Sequence, residues 1–435
     1  MKKKLNPLIL CYGLTLCCVF CSPDEEEIME EPQGEEPVQT PTVPAEPTNP
    51  IPVIRSTVVP CVEGLALEYP CSGYQLVGKV SLPALGSTFA NDNWGWEDPE
   101  TGKEYVLQGL NDGVAFLDIS SPTAVRYIGK LPTATENSTW RDIKVYNDHA
   151  FIVSEADDHG LQVFDLARLR GQTEFQTFSS DARLTQFGSA HNIAINEQSG
   201  YAYAIGSQNG SQYYYGGGPV FIDITTPNQP RVVGGYAGSS YTHDAHVVNY
   251  SGPDPDYQGR EILFGSNSDG GENNKVVIVD VTDKENPRLI AQTTYGSGGY
   301  THQGWVDENQ RYFYLGDELD EMRYGNRTRT LVFDLEDLDN PLLHYTYEGV
   351  TSAIDHNGYT HGNSFYIANY TAGFREIDIS NIAQQQMTEV GYFDTYPLND
   401  AANFNGVWNV YPFFASGVIA ISDTGQGLFL VKANE

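Results

Sequence analysis

Four histidines of this chain share a local frame. His191 lies in Ser-Ala-His-Asn-Ile-Ala-Ile and His246 in His243-Asp-Ala-His-Val-Val. His302 lies in Tyr-Thr-His-Gln-Gly-Trp and His356 in Ile-Asp-His-Asn-Gly-Tyr. Corresponding places elsewhere hold Arg141, Phe404 and a residue near Asp92. Imidazole suits transition metals, and Asp142, Asp244 and Asp355 add carboxylates nearby. The predicted metal-ligand set is His191, His246, His302 and His356, joined by His243 and Asp244. His191, His246 and His302 come first, because only neighbouring repeats bring side chains close enough to share an ion. An ion with an open position would activate water. The competing reading is structural: equivalent residues of a repeat share one task, here a hydrogen bond to the next repeat's backbone. No catalytic residue can be named. There is no Gly-x-Ser-x-Gly elbow, phosphate loop or dinucleotide fingerprint.

The elements that must position these residues are short strands that recur. Gly113-Val-Ala-Phe-Leu-Asp118 sets a Gly-x4-Asp frame that returns at Gly160–Asp165, Gly218–Asp223 and Gly373–Asp378. Val276–Asp280 and Leu331–Asp334 keep the strand and the Asp, and Gly427–Lys432 keeps the Gly. The copies stand about 45–58 residues apart, a period of radial β repeats. Each has a strand upstream, such as His149–Ser154 or Tyr201–Gly206, and a Pro-bounded turn to a fourth strand downstream, such as Val125–Gly129. Four antiparallel strands per repeat make a propeller blade. The fold expected is all-β, a seven-bladed propeller. Its last blade lacks an outer strand, and Tyr74–Pro83, which reads like Val125–Pro132, is the strand expected to close it. The repeated Asp is expected to accept backbone N–H groups in a turn.

The formal charge of −33 argues against nucleic acid, whose phosphates need a basic face. Residues 1–21 read as a targeting segment, with Lys2, Lys3 and Lys4 ahead of an apolar stretch from Leu8 to Phe20. Cys21-Ser-Pro-Asp-Glu-Glu-Glu27 resembles the start of a bacterial lipoprotein, so Cys21 is the expected lipidation site, with Cys18 as the alternative. An ordinary cleaved signal is the plainer reading. Residues 22–57, rich in Asp, Glu and Pro, are expected to form an extended, disordered tether. Residues 58–435 hold the propeller. Cys61 and Cys71, the only cysteines after the signal, are expected to pair in an exported chain. Oxygen-rich loops at Ser266–Asn274, Glu155–Asp158 and Asp317-Glu318 are possible calcium sites. Tyr213–Gly218, Trp94 and Trp96 place aromatics on loops, as anchors for a glycan or a protein or as packing between blades.

Cys61-Val-Glu-Gly-Leu-Ala-Leu-Glu-Tyr-Pro-Cys71, then Asn91–Trp96, Ser138–Tyr146, His149–Glu155 and His159–Leu166, resemble the choice-of-anchor B family, and Val276–Asp280 resembles its LVIVD repeat. The resemblance spans roughly residues 58–435. It implies an exported β-propeller and assigns no activity. The functional expectation is a non-enzymatic, surface-tethered binding or scaffold module at the outer membrane, monomeric, held by its lipid and facing a surface protein or glycan. The rival is a metal-dependent hydrolase or lyase working in the central channel, with a transition metal or calcium as cofactor. Purely structural membership of a surface complex is the third reading.

Overall fold

A computed structural model describes residues 48–268, 270 and 273–434. The expected targeting segment and Cys21 lie outside these residues, as does the tether up to residue 47. The described residues fold into seven blades. Their innermost strands are Ala90–Glu97, Arg141–Tyr146, Asn192–Asn196, Thr242–Asn249, Thr301–Val306, Gly358–His361 and Val407–Tyr411. From blade 1 to blade 6 these strands pack in succession, and Val407–Tyr411 of blade 7 packs against Ser364–Ala368 of blade 6 and against Ala90–Glu97 of blade 1, so the ring closes. The recurring frame forms the third strand of every blade.

Alternation along each strand explains why blades associate. On His149–Ser154 of blade 2, Ala150 and Ile152 join a core shared with blade 1, while Phe151 and Val153 join one shared with blade 3. A strand buried on both faces reads as a continuous apolar run, which is how these segments look in sequence. Seven apolar clusters result among the described residues, one at each interface between blades.

The fourth blade strand explains the frame's glycine. A Cβ at Gly160 would stand 2.1 Å from the Leu184 carbonyl oxygen, and one at Gly427 would stand 2.4 Å from that of Val80. The repeated Asp does what was expected at all six positions. Asp118, Asp165, Asp223, Asp280, Asp334 and Asp378 each accept the backbone N–H two residues on.

Blade 7 is closed as expected: Tyr74–Val80 pairs antiparallel with Gly427–Ala433. Cys61 and Cys71 form a disulfide. The hairpin it ties, Leu65–Ala66 with Tyr69–Ser72, also adds to the outer edge of blade 6 by pairing with Thr388–Phe393. The stretch up to residue 57 that was expected to be tether is partly strand. Val53–Arg55 is a strand on the outer edge of blade 1, and Ile51 is buried beside it. Ile51, Val53 and Ile54 give this stretch the apolar side chains that the preceding acidic run lacks, and the bare edge of blade 1 gives them a partner.

A histidine-floored cup at one mouth of the channel

The start of each innermost strand faces the axis. In blades 3 to 6 these places hold His191, His243, His302 and His356. Their rings form an arc, with centroids 4.2 Å apart from His191 to His243 and 4.3 Å at each of the next two steps. Trp408 continues the arc in blade 7, 4.9 Å from His356. Blade 7 therefore presents Trp408 where Phe404 was expected.

Blade 4 requires the larger correction. His246 is not the counterpart of His191, His302 and His356; His243 is. His246 lies three residues further along the strand, past a bulge between Thr242 and Asp244. There it stacks on Trp305 with centroids 3.6 Å apart, and its Nδ1 accepts the Val306 N–H. The sequence carried a signal for the right choice, since Tyr241-Thr-His243 repeats as Tyr300-Thr-His302.

Nδ1 of His243 donates to the His302 carbonyl at 3.0 Å, and Nδ1 of His356 donates to the Trp408 carbonyl. A carbonyl only accepts, so each ring carries its proton on Nδ1 and keeps a lone pair on Nε2. These bonds to the next blade are the structural task foreseen for the histidines. His191 differs: its Nδ1 meets Glu155 Oε1 at 2.6 Å. Nε2 of His302 and Nε2 of His356 each lie 3.7 Å from Glu318 Oε1, which also accepts the Tyr370 hydroxyl at 3.2 Å.

Burial, then repulsion from His356 and His243, pushes the His302 pKa well below its ordinary value. Burial and the neighbouring His191 do the same to His243, and burial takes His356 down to about 3. These rings are neutral at physiological pH. Burial also opposes charge on His191, but its hydrogen bond to Glu155 and that carboxylate's charge outweigh it and raise the pKa. Burial lifts Glu318 to about 7, against the pull of His191.

Above the arc opens a cavity of about 500 Å³. Glu155, Glu318 and the histidines line its base, and Phe89, Trp140, Tyr241, Tyr300, Tyr370, Phe404 and Trp408 line it as well. Trp140 and Phe404 are each 44% exposed. Tyr213 packs on Tyr241 with centroids 5.2 Å apart, which ties the Tyr213–Gly218 loop to the cup.

A second chamber of about 180 Å³ is walled by the residues three places beyond the arc, among them Trp94, Lys144, His246, Trp305 and Tyr359. Asp244 lies here rather than with the four histidines, pushed up to about 7 by burial and the charge of Asp142. Lys144 bridges Asp142 at 2.5 Å and Asp92 at 3.6 Å. Trp94 and Trp96 stand on the innermost strand of blade 1 rather than on a loop. A gap of only about 10 Å³ shares His191, His302 and His356 with the cup, and Asn192 and Asn357 with the second chamber. It has about the room of one water. A layer of amides and carboxylates sets this waist. Asp92 and Asp142 accept the Ile143 and Ile193 N–H groups of the following blades, and Gln303 accepts that of Gly358.

Of the expected ligands, the structure brings His302 and His356 together with Glu318 and keeps His191 and His243 in the same arc. His246 and Asp244 are in the other chamber. Of the residues in the oxygen-rich loops, Glu155 pairs with His191, and Asp317 accepts the Gly299 and Tyr300 N–H groups. The Ser266–Asn274 loop lies partly outside the described residues.

Residues 360–395, which are most of blade 6, match the LVIVD repeat family. No curated protein matches the chain. Among solved structures, the β-propeller domain of Cps50 (Swd1) from Myceliophteria thermophila is similar at a TM-score of 0.54 and 11% identity, over 83% of this chain and 100% of that one. At that identity the likeness is one of fold. Hydrazine synthase of Kuenenia stuttgartiensis is similar at a TM-score of 0.43 and 16% identity, over 66% of this chain and 83% of that one, too slight a likeness to bear on fold or function.

Proposed function

We propose that this chain is an exported, surface-tethered binding module that holds the end of a glycan in the cup. One observation carries the reading: a cavity of about 500 Å³ with aromatic walls and a base of imidazole and carboxylate. That size lies within the range of small-ligand sites. Flat rings such as Trp140 and Trp408 offer faces for the apolar side of a sugar ring. Glu155, Glu318 and the Nε2 atoms offer acceptors for its hydroxyls. No lysine or arginine lines the cup among the described residues.

The tether belongs to the same proposal. The leader with Lys2–Lys4, the apolar Leu8–Phe20 and the acidic run after Cys21 support an N-terminal lipid at that cysteine, with the propeller displayed outside the outer membrane as a monomer. The resemblance to the choice-of-anchor B family supports export.

Titrating the full-length chain with a panel of mono- and disaccharides, read by tryptophan fluorescence and melting temperature, tests the cup. Saturable binding is expected for some of them, with Trp140→Ala and Trp408→Ala about tenfold weaker. A panel without response, or binding unaltered in both variants, would reject the cup as the glycan seat.

A further inference from the structure

The geometry points to a divalent transition-metal site at the base of the cup, formed by His302 Nε2, His356 Nε2 and Glu318, with its open positions facing the cavity. The inference deepens the binding reading and rests on it only for what fills those open positions.

Two observations carry it. First, the ligand atoms converge. One atom from each of the three residues lies within 4.8 Å of the others, and both Nε2 atoms are 3.7 Å from the same Glu318 oxygen. Donors around a tetrahedral zinc, each about 2.0–2.1 Å from the ion, stand about 3.3 Å apart. The two nitrogen-to-oxygen separations of 3.7 Å therefore need only a small contraction. Second, the His356 ring is aimed from behind. Its Nδ1 is held by the Trp408 carbonyl, the kind of outer contact that fixes tautomer and orientation in metal-bound histidine. Tyr370 likewise holds the Glu318 oxygen.

Two imidazoles and a carboxylate select zinc or another first-row ion over calcium, which prefers an all-oxygen shell. The three protein ligands leave coordination positions free, and the roomy side is the cup. Water or a ligand oxygen completes the sphere. His191 is left out because it is not among the converging donors. His246 is excluded because it lies in the other chamber.

The test is metal uptake by the full-length chain, without chelator and without any sugar. Zinc(II) or cobalt(II) is added, the unbound ion is removed by gel filtration, and the retained ion is measured by elemental analysis. About one equivalent per chain is expected, with a cobalt spectrum of low coordination number. Glu318→Gln and His356→Ala should each weaken retention at least about tenfold, and His246→Ala should not. Melting curves of Glu318→Gln, nearly the same in shape as the native residue, verify that the fold survives. No retained ion in the unaltered chain, or equal retention in Glu318→Gln and His356→Ala, would overturn the site. Because no sugar is present, this result stands apart from the glycan titration, and either reading can fail alone.

Discussion

His159 shows how one buried side chain sets a pH dependence. It is fully buried, its Nε2 lies 3.0 Å from Arg141 Nη1, and the Arg183 guanidinium bonds its backbone carbonyl. Burial, then the Arg141 charge, pushes its pKa to about 4. The folded state therefore binds fewer protons than the unfolded chain between that value and about 6.5. Stability rises with pH across this window and is lost as pH falls through it, by up to about 3 kcal/mol. His159→Gln should flatten the fall in stability between pH 6.5 and 4, measured by urea unfolding at a series of pH values. An unchanged slope would assign the acid sensitivity to other groups. The histidine arc follows the same logic with another outcome, since neutral, oriented imidazoles are what the proposed metal would need.

At the scale of the element, the Asp turn is the part most directly written in the sequence. Asp118 is the strongest case. It accepts the Ser120 N–H and hydroxyl, and it meets Lys103 at 2.8 Å and Arg126 at 3.3 Å while almost wholly buried. Asp378 accepts its backbone N–H in an exposed setting and has no ion pair among the described residues. Asp118→Ala should cost about 2–3 kcal/mol, because it leaves charged donors without their acceptor. Asp378→Ala should cost about 1 kcal/mol or less. Equilibrium unfolding of the two variants checks the order. Equal losses would mean that the turn bond alone matters and the ion pairs add nothing.

The whole molecule depends on how the ring is shut. Tyr74–Val80 completes blade 7, and the disulfide hairpin just before it lies along blade 6, so one short segment secures two blades. Cross-linking a loop of this length removes entropy from the unfolded chain worth about 2–3 kcal/mol. Cys61→Ser combined with Cys71→Ser should lower unfolding stability by that amount and leave zinc retention by the cup unchanged. Stability equal to that of the native chain would show that the hairpin's pairing to blade 6 suffices.

The seven-fold period, the third-strand frame, the Asp turn, the closing strand and the cysteine pair were all legible in the residues, because each rests on local chemistry repeated along the chain. Position around the axis was legible only in part. His191, His302 and His356 were placed in one ring, but His243 and His246 sit three residues apart on one strand, and a bulge decides which of them faces the cup. Ile51, Val53 and Ile54 had the side chains for a strand, but only the bare edge of blade 1 gave that strand a partner. Glu318 and Tyr370 come from neighbouring blades and meet only when blade 6 packs on blade 5. Sequence by itself determined the blade, since a blade is held by neighbours in the chain. Tertiary structure decided the site, since the proposed ligands come from two blades, His302 and Glu318 from one and His356 from the next, and converge only through the packing of one blade on the other.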